Sequence, residues 1–366
     1  MKASLVVMPG DGVGPEIIDA TRTVISAVES KFGHTFECSD AAIGGAALDS
    51  YGVPLRPDDL AQCKRADAVL LGAVGGPKWD AAPIDLRPER GLLALRKGMG
   101  LFANLRPVSV HPSLTGSSPL REEIVEAVDL VVVRELTGGI YFGKPSRQWT
   151  DSRGRVAVDT MKYREDEIER VVRLAFELAR TRSSQLASVD KSNVLATSRL
   201  WRAVVDEIAS DYPDVALEHV LVDTMAMRLI RQPSRFDVIV MENMFGDILT
   251  DEASVIGGSI GLLPSVSLGK SRSATDQRRR GVYEPIHGSA PAMAGQNRAN
   301  PTGTILSFAM LLRSSLDLVQ EAVSVEKAIT DAIADGVRTA DISDGGASSV
   351  STADFGIAVA ERVLSQ

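Results

Sequence analysis

The run E-N-M-F-G-D-I-L-T-D-E-A-S, from Glu242 to Ser254, places Asp247 and Asp251 four residues apart. If the segment after Gly246 is helical, both carboxylates leave one helical face. It follows Phe236 to Met241, an apolar, β-branched run that reads as a buried strand. Two carboxylates just past the C-terminal end of such a strand can seat a hard divalent cation. An acidic first helical turn, favoured by the helix dipole, accounts for the same residues, and the spacing alone leaves both readings open. Asp223 lies at the end of another apolar run, and Lys191 follows the strand-like Gln185 to Val189. Arg134 emerges from Leu130 to Val133, where an arginine is costly unless solvated or paired. Arg106 sits in an extended segment closed by Pro107, and Arg96 shares a helical surface with Leu92 and Leu93, one turn after Glu89. Taken singly, each arginine is explained by a surface salt bridge.

The elements that must position these groups alternate between strand and helix, which indicates an α/β protein. Leu5 to Met8 reads as a strand leading through G-D-G-V-G-P-E into an amphipathic helix ending near Val28. Its glycines at 10, 12 and 14 do not form the G-x-G-x-x-G fingerprint. Ala68 to Gly72 is a second buried strand, and Tyr163 to Arg182 is an amphipathic helix. Leu200 to Ile208 marks a helix in which Trp201 is a core residue. Ser267 to Gly281 is polar and basic without periodicity, and reads as a flexible surface loop. Gly281 to Pro291 reads as a structured loop of the kind that wraps a ligand. Helices are expected from Thr302 to Leu312, from Val325 to Val337 and after Thr352.

Composition bounds the function. A chain of 366 residues with 44% hydrophobic and 24% charged residues is long enough for two domains. A net charge of −8 and a pI near 5.2 argue against general binding of nucleic acid or an anionic membrane. Two cysteines, Cys38 and Cys63, and four histidines suggest neither a disulfide framework nor a zinc site. No apolar run has the length of a signal or membrane segment, so a cytoplasmic setting is expected.

Five blocks occur together and in order: Gly10 to Glu16, Gly91 to Pro107, Glu135 to Gly143 (E-L-T-G-G-I-Y-F-G), Glu242 to Ser254, and Tyr283 to Pro301. In this the chain resembles the β-decarboxylating dehydrogenases of the isocitrate/isopropylmalate dehydrogenase family, from Leu5 to about Asp354. The resemblance implies two α/β domains sharing a large mixed sheet, without a true Rossmann unit. Residues 1–101 with 258–366 would form the cofactor-side domain, and 102–257 the dimerisation, metal and acid–base domain. The active site would lie between them and borrow residues from a second subunit of a homodimer.

The family's roles fall on matching positions. Arg96, Arg106 and Arg134 would bind the carboxylates of a dianionic substrate bidentately. Asp247 and Asp251, with Asp223 of the neighbouring subunit, would hold Mg²⁺ or Mn²⁺. Lys191, from across the dimer, would take the substrate hydroxyl proton, and Tyr141 would protonate carbon after decarboxylation. Glu89, Leu92, Leu93 and Val194 would select the substituent, the apolar three suiting an isopropyl group. Asn193, Glu284, His287, Gly288, Ser289, Ala290, Asn300 and Asp341 would contact NAD. The implied reaction is oxidative decarboxylation of 3-isopropylmalate to 4-methyl-2-oxopentanoate in leucine biosynthesis. The alternatives are a related 3-alkylmalate or D-malate as substrate, or a non-catalytic regulatory or ligand-binding subunit.

One departure from the family pattern concerns the cofactor. NAD-using members place an Asp after S-A-P, and NADP-using members a Lys-Tyr pair, where this chain has Ala292-Met293. Losing a charge-assisted hydrogen bond costs about 1.5–3 kcal/mol. The basic stretch with Arg278, Arg279 and Arg280 would compensate or admit NADP.

Overall fold

Lys2–Gly10 forms the first strand, β1, and its run of Leu5 to Met8 is wholly buried. The computed structural model describes all residues except 274, 275, 277 and 344–348. The chain separates into two compact units, one of residues 1–101, 111–117 and 257–366, the other of 102–110 and 118–256.

In the first unit β1 is followed by α1 (Gly14–Phe32), β2 (Thr35–Asp40), α2 (Gly44–Tyr51), α3 (Pro57–Arg65), β3 (Ala68–Ala73) and α4 (Pro88–Met99). Strands β1, β2 and β3 are parallel, with β1 between the other two. The β1–α1 turn has to be glycine-rich. Gly12 has φ +60°, and a Cβ there would fall 1.9 Å from the carbonyl oxygen of Ser289. Val13 N donates to that same oxygen at 2.8 Å, so the turn and the 289 loop are docked backbone to backbone.

The second unit contains β4 (Ala103–Ser109), α5 (Glu122–Val125), β5 (Asp129–Glu135), β6 (Arg147–Asp151), β7 (Gly154–Val158), α6 (Glu165–Arg180), β8 (Gln185–Asp190), α7 (Ala196–Ala209), β9 (Ala216–Leu221), α8 (Val222–Arg231), β10 (Val238–Met241) and α9 (Asn243–Ser254). Its sheet runs β4-β5-β10-β8-β9, antiparallel at β4–β5 and parallel elsewhere. Val132, Val189, Ile239 and Met241 belong to a core that also takes in Leu249 and Ala253 of α9. Trp201 is buried, as its helical position suggested. Strands β6 and β7 form a separate hairpin, and every residue of β6 is exposed.

The chain then returns to the first unit with β11 (Pro264–Ser271), β12 (Arg279–Pro285), α10 (Thr302–Ser315), α11 (Val319–Ala334) and α12 (Thr352–Ser365). β12 lies between β3, to which it is parallel, and β11, to which it is antiparallel.

Four expectations need correction. The stretch from Ser267 to Gly281 is not one surface loop, because Ser267 to Ser271 continue β11 and Arg279 to Gly281 begin β12. Ser265 and Ser267 are buried polar residues in that strand, and they hid its period from the sequence. Residues 274, 275 and 277 of the stretch lie outside the described ones. The structured loop starts after Pro285, since Gly281 to Pro285 belong to β12 and Tyr283 is fully buried. Helix α9 starts at Asn243, with Glu242 as its N-cap, so Asp247 and Asp251 are not first-turn acids. Residues 111–117, assigned above to the second domain, lie with the first unit. There His111 Nε2 meets Thr330 O at 3.2 Å and Arg338 Nη2 donates to Ser113 O at 3.1 Å.

Candidate active site

Strands β5 and β10 run parallel and pair Arg134 with Met241, so the ends of both strands deliver their polar residues together. Glu242 caps α9 by accepting from Met244 N at 3.1 Å and Phe245 N at 2.8 Å. Capping by a carboxylate fixes the start of the helix and complements its dipole. One turn further, Asp247 Oδ1 accepts from Arg134 Nη1, and its Oδ2 accepts from the Tyr141 hydroxyl at 2.8 Å. Another turn on, Asp251 Oδ1 accepts from Arg106 Nη1 at 3.0 Å, and that nitrogen also donates to Thr250 Oγ1 at 2.8 Å. The face of α9 therefore presents two carboxylates, each held by an arginine.

Burial together with the hydrogen bond to Asp247 pushes the Tyr141 hydroxyl up to about 12. The proton stays on oxygen across neutral pH, the state a proton donor needs. The tyrosine is nonetheless half exposed.

A second pair forms past the end of β8, the parallel neighbour of β10. Lys191 follows β8 in a tight turn, its carbonyl accepting from Val194 N at 3.0 Å and Leu195 N at 2.9 Å. Its Nζ meets Asp223 Oδ1 at 2.6 Å, and this hydrogen bond is the main cause holding the Asp223 carboxyl below its usual range. Asp223 belongs to the first turn of α8 rather than to a strand end. Asn193 and Val194, on the same turn as Lys191, are exposed. Asp190, which is buried, accepts from Arg202 Nε at 2.8 Å and from Ser192 N at 2.8 Å, and so anchors the turn that carries Lys191.

The first unit holds the remaining candidates. On α4, Arg96 Nη2 donates to Glu284 Oε1 of β12 at 2.6 Å, and the buried Arg96 Nε has no partner. Glu89 and Leu93 are exposed, whereas Leu92 packs against the core cluster of β1 and β3. After β12, His287 Nδ1 lies 2.8 Å from Gly288 O, while its buried Nε2 has no partner. Burial pushes this imidazole below its usual value, so it is neutral at pH 7. A Cβ on Gly288 would meet nothing within 4 Å, Ala290 has φ +39°, and Ser289 contributes the carbonyl that holds the β1–α1 turn. Asn300 Nδ2 donates to Asp341 Oδ2 at 3.0 Å, an oxygen shared with Ser259.

Ala292 is exposed, and its carbonyl accepts from Gln296 Nε2 at 2.6 Å. The acid beside this turn is Glu16, whose two oxygens accept from Gly295 N and Asn297 N. Of Arg278, Arg279 and Arg280, the first pairs with Asp276 at 2.7 Å and the second donates to Gly269 O at 3.3 Å.

These donors suit the groups the sequence implies. Asp247 and Asp251 offer hard oxygen ligands at helical spacing, which fits Mg²⁺ or Mn²⁺. Among the described residues, no group of three His, Cys, Asp or Glu side chains capable of holding a metal gathers within one chain. The unpartnered Nε2 of His287 and the open space at Gly288 fit a loop that receives a polar cofactor. No helix is long and apolar enough to cross a membrane, among the described residues.

The polar residues behind α9 escaped the sequence reading. Asn243, Tyr163 and Asp190 join no acid–base or metal spacing pattern, and their only signal was a polar residue beside an apolar strand.

Residues 4–359 match the isocitrate/isopropylmalate dehydrogenase family. The chain is 54% identical over 364 residues to a 3-isopropylmalate dehydrogenase of Dehalococcoides mccartyi, covering 99% of this chain and 100% of that one. It is 55% identical over 348 residues to a 3-isopropylmalate dehydrogenase of Geobacillus kaustophilus, covering 95% and 92%. The crystal structure of an isocitrate dehydrogenase from Methylococcus capsulatus superposes with a TM-score of 0.84 at 31% identity, covering 99% of each chain. On its sequence and its fold alike, this chain is a member of the isocitrate/isopropylmalate dehydrogenase family.

Proposed function

We propose that the protein catalyses the oxidative decarboxylation of 3-isopropylmalate to 4-methyl-2-oxopentanoate, with reduction of NAD, as a step of leucine biosynthesis. The observation that carries this reading is the convergence of Arg134 and Tyr141 on Asp247, one turn from the Arg106–Asp251 pair. Those groups match what a dianionic 2-hydroxy acid and a divalent cation require. Relatives above 50% identity over nearly the whole chain bear the corresponding name.

Arg96, Arg106 and Arg134 bind the substrate carboxylates, each exchanging an acidic partner within the chain for the ligand. Asp247 and Asp251, with Asp223 from a second subunit, would hold Mg²⁺ or Mn²⁺, which would supply Lewis-acid polarisation of the substrate's oxygen. Glu284, His287 to Ala290, Asn300, Asp341 and Asn193 would hold the nicotinamide cofactor, which would supply the hydride acceptor. Lys191 takes the proton of the C2 hydroxyl, a role that requires the lysine to leave its ion pair with Asp223 and become neutral. Tyr141 donates its proton to C3 after the carboxylate has left. Leu92, Leu93 and Val194, with Glu89 at the rim, favour an isopropyl substituent by about 2 kcal/mol, roughly thirtyfold over a smaller one.

A homodimer with shared sites suits the surface of the second unit. Met227 and Ile230 on α8 and Ile248 on α9 are exposed apolar residues, and the β6–β7 hairpin is exposed as well. A two-stranded hairpin on its own is marginal in water, so it gains from a partner.

The test is a spectrophotometric assay with Mg²⁺ or Mn²⁺, offering 3-isopropylmalate, other 3-alkylmalates and D-malate, each with NAD and with NADP. The highest kcat/KM is expected with 3-isopropylmalate and NAD. A higher value with D-malate would overturn the substrate assignment, and turnover with NADP alone would reassign the cofactor.

A further inference from the structure

Arg134 is almost completely buried, yet it must present its charge to a ligand, so something has to hold its guanidinium in one orientation. Two residues of α9 do this. Asn243, also buried, accepts on its Oδ1 from Arg134 Nε at 3.1 Å and from Nη2 at 2.9 Å. Its Nδ2 donates to Gly138 O at 3.1 Å, which fixes the amide against flipping. Its backbone N–H donates to the Tyr163 hydroxyl at 2.9 Å, and that hydroxyl donates to the capping Glu242 at 3.1 Å. One edge of the guanidinium is therefore held by a neutral oxygen, itself tied to the start of the helix. Nη1, on the other edge, faces Asp247.

Gly246 supplies the space. A Cβ there would lie 2.5 Å from Cγ of Arg134 and 2.7 Å from its Cβ, closer than carbon atoms approach. The arginine stem crosses the helix where the glycine leaves a gap. An alanine would force it aside although alanine is the better helix former.

We propose that Asn243 and Gly246 are positioning residues for substrate recognition: together they seat the Arg134 guanidinium on α9, its Nε–Nη2 edge held by an amide and its Nη1 edge turned to Asp247. The proposal rests on the reading of Arg134 as a substrate-carboxylate ligand. An amide at position 243 is essential to it, because a carboxylate would fill the same space while adding a second negative charge, beside that of Asp247, against the incoming dianion.

The test is the KM for 3-isopropylmalate against the KM for NAD in Asn243→Ala, Asn243→Asp, Gly246→Ala, Arg134→Lys and the double variant Arg134→Lys/Asn243→Ala, with melting temperatures alongside. Asn243→Ala and Gly246→Ala are expected to raise the substrate KM about 10- to 100-fold, the range of a charged hydrogen bond, with the NAD KM unchanged. Asn243→Asp is expected to raise it as well, whereas a role in packing alone would be rescued by this isosteric residue. In the Arg134→Lys background, Asn243→Ala should add nothing, because the two act as one unit. An unchanged substrate KM in Gly246→Ala, full rescue by Asp, or an additive double variant would each overturn the proposal. If Arg134→Lys itself leaves the substrate KM unchanged, the underlying reading of Arg134 fails instead. Should Asn243→Ala fail to fold, Gly246→Ala carries the test alone.

Discussion

Asp247 accepts hydrogen bonds from a guanidinium and from a phenol at once, so removing its charge acts on two partners. Asp247→Asn keeps the size of the side chain, and α9 is capped elsewhere by Glu242. The expected outcome is a fall in kcat of about 100-fold or more together with weakened Mg²⁺ binding by calorimetry, at a near-normal melting temperature. Full activity of this variant after chelator treatment would contradict the metal assignment. Tyr141→Phe is expected to lower kcat by about 100-fold while leaving the substrate KM close to its original value. With the tyrosine proton held up to about 12, no loss of rate from this group is expected on passing its ordinary value of about 10. A pH–rate profile comparing wild type with Tyr141→Phe reads this directly. At this scale Arg134, Lys191, Asp247 and Asp251 stood out in the sequence, because they come at or just past an apolar strand. Asn243 and Gly246 were not, since an amide that orients and a glycine that makes room leave no charge pattern.

Ion pairs at the ends of elements set the pH dependence of the fold. Asp237, at the entry to β10, is desolvated, yet hydrogen bonds from Ser183 and Arg182 outweigh burial and hold its carboxyl below the usual range. A depressed folded-state value means stability that is present above the unfolded value of about 3.9 and is lost as pH falls through the folded value. Asp237→Asn should therefore cost about 1–3 kcal/mol at pH 7, and the gap from wild type should close below pH 4 in urea titrations. A gap that stays constant with pH would mean the carboxylate charge is not the source. The helices of this chain were legible because their apolar spacing is regular, as in α6 with Ile168, Val171, Val172 and Ala175 buried. Strands β11 and β12 were not, since serines, glycines and arginines dominate them and their burial is imposed by neighbouring strands.

For the whole molecule, the proposed sharing of sites makes a prediction that no single chain can satisfy. Asp223→Asn and Asp247→Asn homodimers should both be inactive. Unfolded together and refolded at equal amounts, they should regain about a quarter of wild-type activity, because half the dimers are mixed and each mixed dimer holds one intact site. No recovery on mixing would place all the ligands in one subunit. The α/β class was legible in the alternation of runs along the chain, whereas the return of the C-terminal segments to the first unit was implied only by the family resemblance. The placement of 111–117 was not, because it is set by hydrogen bonds to Thr330 and from Arg338, more than two hundred residues away.

In the proposed homodimer the β6–β7 hairpin would be covered, which offers a gauge of assembly that needs no substrate. It carries Arg147 and Arg155 on exposed positions, with Arg153 in the turn between the strands. Trypsin should nick dilute, dissociated chains there first, and concentration into dimers should slow that cut while leaving other exposed sites as susceptible as before. The rate of one proteolytic fragment against concentration then becomes a measurement of the dissociation constant.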